Sequence, residues 1–124
     1  MAGQRNIFTK MMHNSISITG AGDDLSEMVD LSTKAQNGIF SLQVIIVATS
    51  TTSTSVTINA WLSNDGENFV DEDNGGLSII AAVNPSSGLD KVYSFEPKLT
   101  KFIKIEVVSA NGNIVDCTTI LAVQ

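Results

Sequence analysis

Val56-Thr57-Ile58-Asn59-Ala60-Trp61-Leu62-Ser63-Asn64-Asp65-Gly66-Glu67-Asn68-Phe69-Val70 reads as an alternating strand, a polar turn and the start of a returning strand. Val56, Ile58, Ala60 and Leu62 share one face at period two, and Thr57, Asn59, Trp61 and Ser63 share the other. The turn is placed at Asn64-Asp65-Gly66, because Asp-Gly between apolar runs favours a hairpin: glycine reaches positive φ without a Cβ clash. The rest of the chain reads as strands packed around this hairpin.

Outward from it, residues 39–48 form the strongest strand, with Phe40, Leu42, Val44 and Ile46 pointing one way. Ile45 and Val47 make its far end apolar on both faces, as in a central or covered strand. The Ser/Thr run 49–55 is a loop between these two strands. Earlier strands are expected at 14–19 and 28–31, separated by a break at Gly20-Ala21-Gly22-Asp23-Asp24 that leaves room for a short helical turn at 25–28. Later strands are expected at 77–83, 91–96, 101–109 and 114–123, the last two joined by a hairpin turn at Asn111-Gly112. Pro97 ends its strand by lacking an N–H. Residues 1–13 show no sustained period and are assigned to an extended N-terminal arm or a first edge strand, with 14–124 as the folded domain. The expected fold is all-β: a single-domain, antiparallel two-sheet β-sandwich, jelly-roll-like, of about eight strands.

Composition narrows the function. The chain has 124 residues and a formal net charge of −6, which disfavours binding to nucleic-acid phosphates and to anionic membranes. It contains no apolar run long enough for a membrane span and no signal-peptide pattern, so synthesis in a cytoplasm is expected. The single cysteine, Cys117, excludes an internal disulfide, and its apolar alternating context makes it a buried thiol.

The chemistry-bearing residues are sparse. His13 is the only histidine, so a nucleophile–histidine arrangement would have to draw on the arm; an exposed or capping role is expected and no enzyme is inferred. Asp65, Glu67, Asp71 and Asp73 offer hard oxygen ligands for Ca²⁺, but their spacing does not match the twelve-residue calcium loop, so a solvated acidic loop is expected and no metal or cofactor is assigned. Gly20-Ala21-Gly22 reads as a turn rather than a phosphate cradle, given the acids that follow. Trp61, Tyr93 and Asn68 are the residues a sugar platform would use. Ile7, Phe8, Met11 and Met12 in the arm, with Trp61 on its polar strand face, are the expected subunit contacts.

At the hairpin the chain resembles a pattern found in small tailed-phage virion structural proteins. The resemblance runs through Val29-Asp30-Leu31, Ser41-Leu42-Gln43-Val44, Val56-Thr57-Ile58 and Ser63-Asn64-Asp65-Gly66-Glu67-Asn68-Phe69-Val70. It continues through Lys101-Phe102-Ile103-Lys104-Ile105 and Cys117-Thr118-Thr119-Ile120-Leu121, covering roughly 14–124 in order. Trp61 departs from the polar residue this pattern carries. The resemblance implies a non-enzymatic capsid decoration protein that forms a homo-oligomer, a trimer in its most concrete version, and docks on a major capsid protein at the virion surface. A tail, neck or fibre subunit is the alternative within the same class. A carbohydrate-binding β-sandwich module, with or without Ca²⁺, is the alternative outside it.

Overall fold

The computed structural model describes residues 7–18, 22–34, 38–48, 56–71, 78–83, 88–97, 100–109 and 115–124. The Ser/Thr loop, Asp73 and the turns around residues 84–87 and 111–112 lie outside them.

Among the described residues ten strand segments follow in chain order: β1 Phe8–Ile18, β2 Gly22–Leu25, β3 Val29–Asp30, β4 Phe40–Ala48, β5 Val56–Ser63, β6 Val70–Asp71, β7 Ser78–Val83, β8 Leu89–Phe95, β9 Phe102–Ser109 and β10 Val115–Val123. One sheet, hereafter sheet A, has the order β1-β10-β4-β8. In the other, sheet B, β9 and β5 lie side by side, β2 and β3 flank β9, and β6 and β7 flank β5. Every pairing is antiparallel. Apart from β2–β3 and β5–β6–β7, which stay within sheet B, consecutive segments lie in different sheets and face each other across the core; this is jelly-roll topology.

The alternation read from the sequence decides which side chains are inside. Val56, Ile58, Ala60, Ile103, Ile105 and Val107 line the inner face of sheet B, opposed by Leu42, Val44, Ile46, Cys117, Leu121 and Val123 of sheet A. Phe40 and Phe95 close one end with ring centroids 5.5 Å apart. Burying each of these aliphatic side chains stabilises the fold by roughly 1.5–3 kcal/mol, before chain entropy is set against it.

The opening hairpin is observed, with a wider turn than expected. β5 returns as two segments, β6 (Leu62↔Val70) and β7 (Ile58↔Ile80, Val56↔Val83). Gly66 has φ +78°, and a Cβ there would stand 3.3 Å from the Phe102 ring. Gly66→Ala is therefore expected to destabilise by about 1–2 kcal/mol, from left-handed strain and displacement of Phe102. A chemical-denaturation midpoint reads this directly.

Three expectations are corrected. Residues Phe8 to His13 belong to β1, an edge strand of sheet A as the second of the two readings had it, paired with β10 from Phe8↔Val123 to His13↔Thr119, so a boundary between arm and domain at residue 13 falls inside a strand. Two register shifts, between Met11 and His13 and between His13 and Ile16, break the alternation, which is why no period is visible there. The 22–25 segment is a strand, β2, where a turn or helical turn was expected: its backbone completes the edge of β9. Finally, β9 and β10 are not a hairpin. Each has one apolar face, and both faces are buried because the two strands oppose each other in different sheets.

Candidate functional site

The Ser63–Phe69 turn is held by its own side chains. Ser63 Oγ accepts from the N–H of Asp65 (3.2 Å) and of Gly66 (2.9 Å) and donates to Asp65 Oδ1 (2.8 Å). Asp65 Oδ1 also accepts from the N–H of Glu67 (2.9 Å) and Asn68 (2.8 Å), while Oδ2 takes the Asn68 amide (2.8 Å). These donors, Asn68 foremost, hold the Asp65 carboxyl far below the usual carboxylate range. Both Asp65 oxygens are thus engaged within the turn rather than presented to a cation. Asn64 Oδ1 and the Ser63 carbonyl tie the turn to Lys101 N–H (3.0 Å) and Thr100 Oγ1 (2.9 Å). Glu67 is exposed, and the side chains of Asp71 and Asp73 lie outside the described residues. Among the described residues no group of three His, Cys, Asp or Glu side chains converges on a metal position.

A second constellation lies on the outer face of sheet B. Asn59 and Glu106 stand opposite each other on β5 and β9, with Trp61 one pleat along. Glu106 Oε1 accepts from Trp61 Nε1 (3.0 Å) and Asn59 Nδ2 (3.2 Å). Although it faces away from the core, Glu106 is only 8% exposed. Burial raises its pKa, and a hydrogen bond with Asp23 of β2 adds to the rise against the lowering by Trp61 and Asn59. Asn59 is 7% exposed, and its Oδ1 accepts no hydrogen bond from the described residues. Alongside, the Lys104 ammonium sits 4.4 Å from the Phe69 ring centroid.

The third constellation joins the sheets. His13, expected to be exposed, is 3% exposed: its Nδ1 lies 2.6 Å from Thr119 Oγ1, and its Nε2 lies 3.2 Å from the Asp24 carbonyl oxygen and 3.4 Å from Asp24 Oδ1. Desolvation lowers its pKa, outweighing the pull of Asp24. The shifted register of β1 turns both Met12 and His13 inward. A cleft of about 380 Å³ opens beside them, lined by Lys10, Met11, Ile16, Asp24, Ser26 and Glu27 among others. Cys117 is fully buried, as expected, with its thiol pushed up to about 12 by burial and by the charge of Asp24.

The expected contact residues divide. Ile7 and Met11 are exposed, Phe8 packs partly on the core under the Lys34 ammonium, and Met12 is a core residue rather than a contact. Trp61 is half-buried, with its N–H committed to Glu106. Trp61, Tyr93 and Asn68 are not brought together: Tyr93 packs against the core from β8 in sheet A, and Asn68 serves the turn. The sequence reading passed over Asn59, Glu106 and Asp23. The available signal was an acid in the middle of the amphipathic β9; that it stands opposite an amide follows only from the strand register.

The outer face of sheet A is different in kind. Cross-strand register places Met11, Ile120, Gln43 and Val92 in one row, Thr118, Ile45 and Asp90 in the next, and Asp116 beside Val47 in a third. Val92 is 65% exposed, Met11 and Val47 are exposed, and Ile45 and Ile120 are half-buried.

Neither a protein-family model nor a curated protein sequence matches the chain. Solved structures do match its fold. One is a chain of the infectious bursal disease virus T13 viral particle, with a TM-score of 0.63, 9% identity, and 96% of this chain covering 31% of that one. Another is VP2 of that virus's subviral particle, with a TM-score of 0.57, 9% identity, and 96% of this chain covering 33% of that one. The CBM22-1 xylan-binding domain of Paenibacillus barcinonensis Xyn10C has a TM-score of 0.55 and 11% identity, with coverage of 98% and 84%. The chain therefore spans about a third of the viral chains it resembles. At these identities the likeness is one of fold.

Proposed function

We propose that this protein is a non-enzymatic virion structural subunit that associates with copies of itself and docks on a larger shell, in the specific role of a capsid decoration protein. The observation that carries this reading is the outer face of sheet A, where Met11, Val47 and Val92 are exposed alongside Ile45 and Ile120 and the charged residues are Asp90 and Asp116. An acidic chain that must contact its own copies does so best where its charge is sparse. The fold likeness to particle-forming viral chains supports the same role. Light scattering of the purified chain tests it: a multimer is expected, and a strict monomer at high concentration rejects self-association. Labelling of intact particles distinguishes a head position, which decoration requires, from a tail, neck or fibre position.

A second reading follows from Trp61, whose ring borders the Glu106–Asn59 pair on a sandwich whose fold resembles a xylan-binding domain. Trp61 is the only tryptophan, so its fluorescence reports that face alone. The structural-subunit reading expects no change on titration with xylo-oligosaccharides, with or without Ca²⁺. A saturable change that Trp61→Ala abolishes replaces it with carbohydrate binding.

A further inference from the structure

The edge of a sheet offers unpaired N–H and C=O groups to any chain that can match them, and proteins blunt such edges with short strands, bulges and inward-facing charge. Among the described residues most edges of this sandwich are blunted in these ways. In sheet A, β1 carries two register shifts, a positive φ at Ser15 (49°), and Lys10 in the inner-face row opposite buried Leu121. In sheet B, β2 has four residues, β3 and β6 have two each, and the pairing of β7 with β5 is shifted twice. β8 is the exception. It ends the order of sheet A, and its seven residues pair with β4 without a shift, from Phe40↔Phe95 to Ile46↔Leu89. Asp90, Lys91, Val92 and Ser94 are all exposed.

The order of side chains along β8 is close to a chemical palindrome about Val92, with Leu89-Asp90-Lys91 on one side and Tyr93-Ser94-Phe95 on the other. Two antiparallel copies centred there set Val92 against itself, Asp90 against Ser94, Lys91 against Tyr93 and Leu89 against Phe95, each unlike pair occurring twice. Every one of these pairs is attractive or neutral: hydroxyl with carboxylate, ammonium with aromatic ring, aliphatic with aromatic. The Gln43 amide, 3.3 Å from Asp90 Oδ1, already holds that carboxylate on the outer face. Neighbouring registers fail. Centring on Lys91 opposes two ammonium groups, and centring on Tyr93 sets Asp90 against Glu96 twice. A centre between residues puts outer-face side chains opposite inner-face ones.

We propose that β8 is a self-pairing edge: two copies of the chain join antiparallel about a two-fold axis through Val92, an inference that rests on the self-association proposed above and names its contact. The interface is isologous, so the same residues serve both copies. Pairing makes the two A sheets one continuous sheet, in which the row Met11, Ile120, Gln43, Val92 runs on into the same row of the second copy. Both outer faces then point the same way, and the rest of that face, Val47 included, is left for contacts with further copies and with the shell. The 65% exposure of Val92 in the single chain is removed at the axis.

Cross-linking in the full chain tests the register, because Cys117 is fully buried and an introduced thiol reacts alone. Directly opposite residues have Cα atoms about 4.5–5.5 Å apart, within reach of a short thiol-specific bifunctional reagent. Val92→Cys should therefore cross-link to itself as a dimer. Asp90→Cys and Ser94→Cys should cross-link only when mixed, since each lies roughly 13 Å along the strand from its own copy. Charge supplies an independent readout by sedimentation: Ser94→Lys, opposite Asp90, should tighten association and Ser94→Asp should weaken it, each by roughly 2- to 30-fold over the two symmetric pairs. Association without these cross-links, self-cross-linking of Asp90→Cys as ready as that of Val92→Cys, or a same-sign effect of the two Ser94 variants overturns the edge pairing and leaves self-association standing. A chain that stays monomeric overturns both.

Discussion

Leu121→Ala is expected to lower the unfolding free energy by about 2–5 kcal/mol, the range for deleting a buried leucine that leaves a cavity. Leu121 is fully buried in β10, between Lys10 of β1 and Leu42 of β4 in register, so neighbours on both sides limit how far the space can close. Against the usual margin of roughly 5–15 kcal/mol, such a loss is large. The next residue supplies the control. Ile120 points to the outer face and is half-buried, so Ile120→Ala should change stability by about 1 kcal/mol or less. Urea denaturation of the two variants tests the register, because a slip of one residue exchanges their faces. Equal effects reject the assigned pairing of β10.

The second large effect concerns assembly. Val92→Asp should leave the monomer fold intact, since Val92 is 65% exposed, and weaken self-association on the order of 100-fold. The reason is desolvation: an aspartate trapped in an apolar contact has no partner, and the neighbours across β4 and β10 in its row are Gln43 and Ile120. Val47→Asp should act in the same direction from the far side of the sheet. Sedimentation velocity across a concentration series provides the readout, with Glu67→Gln, on the sheet B turn, as a variant that leaves association unchanged. If Val92→Asp assembles like wild type, the outer face of sheet A is not the contact.

The architecture was legible wherever burial enforces a period of two. In β4 and β5 the inward-facing residues are legible from the sequence alone, and β9 and β10 bury every second residue in the same way. β1 was not legible, because two register shifts interrupt its alternation and turn Met12 and His13 inward together. β2 was hidden for another reason: Gly22-Asp23-Asp24 has turn composition, and the segment is a strand only because β9 offers an edge and His13 and Glu106 secure its acids. The polar constellation on sheet B escaped because its members, Asp23, Asn59 and Glu106, are far apart in sequence and meet only through strand pairing. Its aromatic neighbour was singled out early, yet what Trp61 does within the chain, donating to Glu106, needed the register of β5 against β9.

The pairing of β1 with β10 sets the order of events during synthesis. Phe8 lies opposite Val123, so β1 must wait until β10 has been made before sheet A can close. Until then β4 lacks the neighbour that covers one of its edges, and its apolar residues stay open to other chains. Closure of such sequence-distant contacts is slow, and the waiting strands are open to mispairing. The nascent chain therefore completes sheet A only after β10 has left the ribosome, which makes its yield depend on how quickly β1 and β10 meet.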